Sequence, residues 1–124
     1  MKSLMKIKDV ILVADEACVK EEDVDKCVDY FHGINIKLTK CSGITPARRM
    51  ITVAKEKGLK IMLGCMNETT IGSAALLQLA AGVDYLDADG PLLLTDDTAT
   101  GLTYNNGILS GTGAAGLGIE QTIF

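Results

Sequence analysis

Short apolar runs alternate along the chain with longer segments in which apolar and polar residues are mixed. The runs are rich in β-branched and aliphatic side chains, which is typical of strands buried on both faces. They predict four strands, at residues 10–15, 34–38, 60–65 and 83–88.

The segments between these runs have helical periodicity. In residues 20–31, Val24, Cys27, Val28 and Phe31 repeat at i, i+3, i+4 and i+7, and acidic residues fill the first turn. This pattern predicts an amphipathic helix that ends before Gly33.

Residues 45–57 predict a second helix, with Thr45 as its N-cap, Pro46 at its first position and Gly58 after its end. The preceding stretch KCSGI is expected to be a loop. Residues 70–82, TIGSAALLQLAAG, predict a third and mostly apolar helix.

Strands joined by helices of this length require right-handed crossovers and a parallel sheet. A doubly wound sheet and part of a (β/α)₈ barrel both satisfy this requirement. Polar groups follow each of the four predicted strands, beginning at Asp15, Lys37, Cys65 and Asp87, and a barrel collects its chemistry from several strand ends at once. With four strands instead of eight, the expected fold class is α/β, one half of a (β/α)₈ barrel, as a single partial domain over residues 1–124.

Composition narrows the possible functions. Of the 124 residues, 48 % are hydrophobic, and the net charge of −4 argues against nucleic acid or an anionic membrane surface as a partner. The N-terminal run lacks the length of a membrane span and the cleavage site of a signal peptide, so a cytoplasmic location is expected. The four cysteines lack C-x-x-C spacing and are expected to be reduced, mostly packing residues. His32 is expected to contact the last carbonyls of the first helix.

Four residues carry the candidate chemistry. Asp15 follows a buried strand, although it could instead cap the next helix. Lys37 lies inside an apolar strand, where a lysine is costly without a partner or a role. Asp87 and Asp89 are two residues apart on a strand and project to one face. Two carboxylates so placed are stabilised by a cation between them, which could be a metal, a lysine or a substrate ammonium.

Five stretches carry a family resemblance in order along the chain. They are VADEA, INIKLTKCSGITPARRM, LGCMNETTIG, YLDADGPLLL and GLGI. They resemble successive barrel motifs of the mandelate racemase/muconate lactonizing branch of the enolase superfamily, and most closely its dipeptide epimerases of the L-Ala-D/L-Glu type. The subgroup resemblance rests mainly on DADG together with NIKLTK.

The resemblance implies a role for each group. Asp15 would be a Mg²⁺ ligand, and Lys37 would be one of two lysines that exchange the substrate α-proton from opposite faces. Asp87 and Asp89 would hold the α-ammonium of a dipeptide. The pocket wall would be formed by Cys65, Met66 and Asn67, with Glu68 at the same rim. Superfamily sites use a lysine or histidine base with Mg²⁺.

The resemblance makes the chain the C-terminal half of the barrel, strands five to eight. It therefore also implies what the chain lacks: a capping domain, the first barrel half with the second lysine, and two further metal ligands. We therefore expect a fragment of a Mg²⁺-dependent dipeptide epimerase that is incomplete alone and binds Mg²⁺ firmly only if other residues complete the site. Its partner would be a complementary half-barrel chain or a second copy. The alternative is a catalytically inactive half barrel that associates with itself.

One further motif is discounted. GTGAAG at residues 111–116 matches G-x-G-x-x-G, but no helix is expected to follow it. No dinucleotide site is therefore assigned.

Overall fold

The structure is a computed structural model that describes residues 9–121. A four-stranded parallel sheet in the order β1-β2-β3-β4 forms its centre. The strands are β1 (Val13–Ala14), β2 (Gly33–Lys37), β3 (Lys60–Gly64) and β4 (Tyr85–Leu86). Sequential order in a parallel sheet brings the carboxyl ends of all four strands to one edge.

Helices connect the strands. They are α1 (Glu21–Cys27), α2 (Leu38–Cys41), α3 (Ile44–Glu56) and α4 (Thr70–Leu77), with a 3₁₀ turn at Ala80–Gly82. The buried stripe of α3, which includes Met50 and Ala54, packs on β2 and β3. The expected amphipathic stripe of the second helix is thereby confirmed. In the first helix Val24 and Cys27 are buried as expected, but α1 ends at Cys27, so Val28 and Phe31 lie beyond it and are partly buried.

The core lies on the two central strands. Ile34, Ile36 and Leu63 are fully buried, and Ile61 is 1 % exposed. Close packing also constrains β2, because a Cβ atom on Gly33 would lie 2.6 Å from the Lys60 backbone oxygen. Only glycine fits there, and its absence of a side chain lets β2 and β3 pair in register.

Several expected element bounds are wrong. The stretch KCSGI is not simply a loop, because α2 follows β2 directly and ends at Cys41; the C-cap residue Ser42 has a left-handed φ of 72°. The second helix begins at Ile44 with Gly43 as N-cap, so Thr45 and Pro46 lie inside its first turn. The third helix ends at Leu77 before a separate 3₁₀ turn.

His32 also differs from expectation. Its Nδ1 accepts a hydrogen bond from the Leu12 backbone N–H at 3.0 Å, so the ring ties β1 to β2 and does not cap the first helix. The cysteines behave as expected: all four are free, and Cys18, Cys27 and Cys41 are buried.

The four expected strands of the parallel sheet are confirmed, and the C-terminal segment, as far as residue 121, adds four short strands that the sequence did not predict. After a 3₁₀ turn at Gly90–Leu93, β5 (Ala99–Thr100) pairs antiparallel with β8 (Glu120–Gln121). Between them, β6 (Leu102–Asn105) and β7 (Ile108–Gly111) form an antiparallel hairpin. The GTGAAG stretch begins at the end of β7 and continues into turns.

Among residues 9–121, no helix combines the length and the apolar character that crossing a membrane requires. The expectation about the N-terminal run falls partly on residues 1–8, which lie outside the described residues.

Candidate active site

Asp15 receives hydrogen bonds from two side chains of the neighbouring strand. It follows the last residue of β1, and Lys37 Nζ donates to its Oδ2 at 3.1 Å. Asn35 Nδ2 lies 3.4 Å from its Oδ1. Asn35 and Lys37 are two apart on β2 and project to one face, as the alternation predicts. The side chain of Lys37 is 13 % exposed and that of Asp15 is 47 % exposed, so this carboxylate stays accessible at the strand ends.

Lys40 is a second lysine at the same carboxylate. It lies on α2, three residues after Lys37, and its Nζ is 3.6 Å from Asp15 Oδ1 while it also hydrogen bonds Glu16. The hydrogen bond with Glu16 is the main cause that raises the pKa of Lys40, with Asp15 adding to it. The three-residue spacing of Lys37 and Lys40 was a signal in the sequence. Because a loop was expected at Lys40, the helical turn that brings its side chain to Asp15 was not predicted.

Asn35 is buried and packed tightly. A Cβ atom on Gly64 would lie 2.5 Å from Asn35 Oδ1, so the backbone of β3 rests against this amide. Oδ1 makes no hydrogen bond to the described residues. The sequence placed Asn35 on the face of Lys37 but gave it no role.

The acidic pair lies beyond β4 at the same edge of the sheet. The Asp87 backbone N–H donates to the Leu63 carbonyl at 2.8 Å, after which the chain leaves the sheet. Donor atoms of Cys65, Asp87 and Asp89 all lie within 4.8 Å of one another, and Cys65 Sγ is 3.6 Å from Asp89 Oδ1. These ligand atoms could hold a cation, as the spacing of Asp87 and Asp89 in the sequence suggested.

The charges of the pair are coupled to each other and to Lys37. Burial and then the Asp89 charge raise the pKa of Asp87, while the positive charge of Lys37 lowers it. Burial is likewise the first cause that raises the pKa of Cys65. The Cys65 thiol therefore stays protonated at neutral pH and can donate to Asp89.

The three residues expected in the pocket wall lie together, but Glu68, expected at the same rim, does not line the same cavity. Cys65, Met66 and Asn67 line a cavity of about 480 Å³ together with the acidic pair and Leu93. Glu68 is only 8 % exposed and is absent from that lining. Its Oε1 accepts from the Met66 backbone N–H at 3.4 Å, and its Oε2 lies against Gly72 of α4.

Two residues of the C-terminal segment, which the sequence gave no reason to select, also contact this edge. Tyr104 on β6 donates its hydroxyl hydrogen bond to the Ala88 carbonyl at 2.7 Å, between the two aspartates. Asp97 accepts from the Thr70 backbone N–H at 2.7 Å and so satisfies the first turn of α4.

Comparisons with known proteins place this arrangement in a family. Residues 1–122 match the family model described as Enolase C-terminal domain-like. A curated relative, the L-Ala-D/L-amino acid epimerase of Flavobacterium johnsoniae, is 48 % identical over 118 residues, which cover 95 % of this chain and 35 % of the relative. The L-Ala-D/L-Glu epimerase of Bacteroides thetaiotaomicron is 39 % identical over 108 residues, covering 87 % of this chain and 28 % of that protein.

Solved structures agree with the sequence comparisons. A substrate-liganded complex of the L-Ala-D/L-Glu epimerase from Bacillus subtilis matches with a TM-score of 0.85 and 32 % identity, over 94 % of this chain and 34 % of that one. A dipeptide epimerase from Methylococcus capsulatus, complexed with Mg and the dipeptide L-Arg-D-Lys, matches with a TM-score of 0.81 and 38 % identity, over 86 % and 32 %.

The chain spans about a third of the length of the curated relatives it matches. Its motifs, parallel sheet and likeness to solved structures of this superfamily agree with one another. The chain belongs to the Enolase C-terminal domain-like family, and strands β1 to β4 with their helices form the C-terminal half of a (β/α)₈ barrel.

Proposed function

We propose that this chain supplies the C-terminal half of the active site of a Mg²⁺-dependent dipeptide epimerase. In this proposal Lys37 exchanges the α-proton from one face of the substrate, Asp15 is one metal ligand, and Asp87 and Asp89 hold the α-ammonium. Cys65, Met66 and Asn67 form the wall beside the substrate. Residues outside this chain supply the second lysine and the remaining ligands.

The observation that carries the proposal is the contact of Lys37 with Asp15 at 3.1 Å. It supports the proposal because an α-proton next to a carboxylate is removed only if a base and a positive charge act on the same substrate. Lys37 also acts electrostatically on Asp87, so one substrate could reach base, metal ligand and ammonium site together.

The donor chemistry at Asp15 fits Mg²⁺. Mg²⁺ prefers carboxylate oxygens, and the half-exposed Asp15 offers one beside a lysine. When bound, the ion would offset the negative charge that develops on the substrate carboxylate as its α-proton leaves. One carboxylate is a weak site, so we expect firm binding only in the completed barrel.

A proton-exchange experiment tests the role of Lys37. The chain would be combined with the complementary portion of the Flavobacterium johnsoniae relative, and exchange of the α-proton in D₂O would be followed by ¹H NMR for L-Ala-L-Glu and L-Ala-D-Glu. Because a base acts in the transition state, we expect Lys37→Ala to slow exchange of one stereoisomer by roughly 10²–10⁴-fold, with a smaller effect on binding.

Lys57→Ala is the matched control. Lys57 is half-exposed and pairs with Asp25, away from the sheet edge, so exchange should be unchanged. Equal loss of exchange for both stereoisomers in Lys37→Ala would contradict the assigned role.

A second candidate function is a catalytically inactive half barrel that associates with itself. The exposure of Leu86, Leu92 and Leu93 favours it, because exposed apolar side chains at a sheet edge are stabilised when another protein surface buries them. A chain that associates with itself, and that exchanges no α-proton even when the complementary portion is present, would favour this candidate.

A further inference from the structure

The acidic pair lies at the point where the chain leaves the sheet. The last sheet hydrogen bond in this strand is donated by the Asp87 N–H to Leu63, and the 3₁₀ turn begins at Gly90. Ala88 and Asp89 lie between these two supports. The two carboxylates carry like charges and repel each other, so unrestrained backbone at this point would let them swing apart.

The side chain of Tyr104, from the β6–β7 hairpin, also restrains this stretch. The Tyr104 hydroxyl donates to the Ala88 carbonyl at 2.7 Å, a short distance for an O–H donor. That carbonyl belongs to the peptide plane that joins Ala88 to Asp89, and Ala88 is only 7 % exposed. Fixing the plane fixes the direction in which Asp89 leaves the backbone relative to Asp87.

Tyr104 is itself well supported. It lies inside β6 and opposes Leu109 in the β6–β7 hairpin. It also lines a cavity of about 610 Å³ with Asp87, Ala88 and Asp89. Burial is the first cause that raises the pKa of Tyr104, so its hydroxyl remains a hydrogen-bond donor at neutral pH.

We infer that Tyr104 is a positioning residue that holds the Ala88 carbonyl and thereby keeps the Asp87 and Asp89 carboxylates directed at one cationic group, the α-ammonium of a substrate. The ammonium as occupant rests on the proposed function. The restraint of the pair by Tyr104 does not.

The first test needs no substrate. In the full chain, the Asp87 carboxyl is titrated by ¹³C NMR in the native protein and in Tyr104→Phe. Loss of the hydroxyl should let the carboxylates separate, so the pKa of Asp87 should fall toward its ordinary value. Thr103→Val is the matched control, since it removes a hydroxyl-to-carbonyl contact within the same hairpin, from Thr103 to Ser110, and should leave Asp87 unchanged.

The second test measures ammonium recognition. NMR titrations compare the affinity of the full chain for L-Ala-L-Glu and for its N-acetyl form. Because hydrogen bonds to charged groups contribute about 1.5–3 kcal/mol, misdirecting one carboxylate should reduce the preference for the free ammonium by about tenfold in Tyr104→Phe. A merely structural role would weaken both ligands alike.

Two further variants guard against failure of Tyr104→Phe to fold. Replacing Tyr104 with p-aminophenylalanine keeps a donor at the same position, and p-methylphenylalanine keeps the volume without a donor. The amino variant should behave as the native protein, and the methyl variant should reproduce the loss.

The outcomes test the positioning role of Tyr104 separately from the ammonium as occupant. An unchanged Asp87 pKa in the donor-free variants, or equal loss for both ligands, would overturn the positioning role. If the Asp87 pKa falls in Tyr104→Phe but the native chain shows no preference for the free ammonium, the positioning role is supported and the ammonium as occupant is overturned.

Discussion

At the residue scale, the candidate site consists of two charge clusters that act on one another. Asp15 contacts Lys37, Lys40 and Asn35, and the two lysines are balanced by the carboxylates of Asp15 and Glu16. The second cluster, Asp87 with Asp89, has two carboxylates, and Lys37 lowers the pKa of Asp87 from the first cluster. The ammonium that we propose as its occupant would offset this negative charge.

Removing one member of the acidic pair should change the other. Asp89→Asn removes the Asp89 charge, which follows burial among the causes that raise the pKa of Asp87. We expect the pKa of Asp87 to fall but to stay above its ordinary value, because burial remains. Carboxyl ¹³C titration measures this.

Asp96→Asn is the control for this titration, since Asp96 is exposed and hydrogen bonds only Thr95 among the contacts of the described residues. An Asp87 pKa that does not respond to Asp89→Asn would mean that the two carboxylates are not coupled.

At the element scale, the C-terminal segment is attached to the barrel through α4. The first turn of α4 leaves backbone N–H groups without intrahelical partners. Asp97 accepts from one of them, Thr70 N–H, and also from Ala99 N–H at 3.3 Å. This carboxylate therefore acts as a helix cap supplied from a distant part of the chain.

Asp97→Ala should destabilise the fold by about 1 kcal/mol, the typical cost of a lost N-terminal cap. Burial, the largest single influence, raises the pKa of Asp97, but the hydrogen bonds from Thr70 and Ala99 outweigh it and the net pKa is lowered from 3.8. The stabilisation is then fully present above the unfolded value of 3.8 and is lost as the pH falls through the folded pKa.

Urea unfolding of the native chain and the variant at pH 7 and at pH 3 measures this difference. Asp96→Ala, one residue away, should change stability little at either pH. A difference between native and Asp97→Ala that stays constant on acidification would show that the carboxylate charge does not contribute to the cap.

The sequence predicted the parallel half of the fold because its signals are local. Buried runs and period-two spacing placed Asp15, Lys37 and the acidic pair at strand ends, and the sheet brings those ends to one edge. The contact of Lys40 with Asp15 was missed because the four-residue helix α2, which ends within KCSGI, is too short to show a periodicity.

The C-terminal segment could not be predicted in the same way. Its strands β5 to β8 are two to four residues long and mostly exposed, so they show no buried run, and only the four residues of β6 alternate in burial. The contacts of Tyr104 and Asp97 depend on partners 16 and 27 residues away. Such contacts are set by tertiary packing, which local sequence does not report.

At the scale of the whole molecule, the sheet of the described residues has two open edges, β1 and β4. Val10 and Ile11 before β1 are each 48 % exposed, and Leu92 and Leu93 beyond β4 are 62 % and 68 % exposed. Unpaired strand edges beside exposed apolar side chains promote association.

We therefore predict that the chain associates in solution, with a complementary half barrel or with a second copy. Light scattering at micromolar concentration should give a mass above the 13.1 kDa of one chain. Leu92→Lys places a charge beside the β4 edge and should lower that mass, because burying an unpaired ammonium opposes contact.

Ile108→Lys is the matched control, since Ile108 is 67 % exposed on the β6–β7 hairpin, away from the open edges. A native chain that scatters as a monomer and binds no hydrophobic dye would contradict association, and equal effects of the two lysines would place the contact elsewhere.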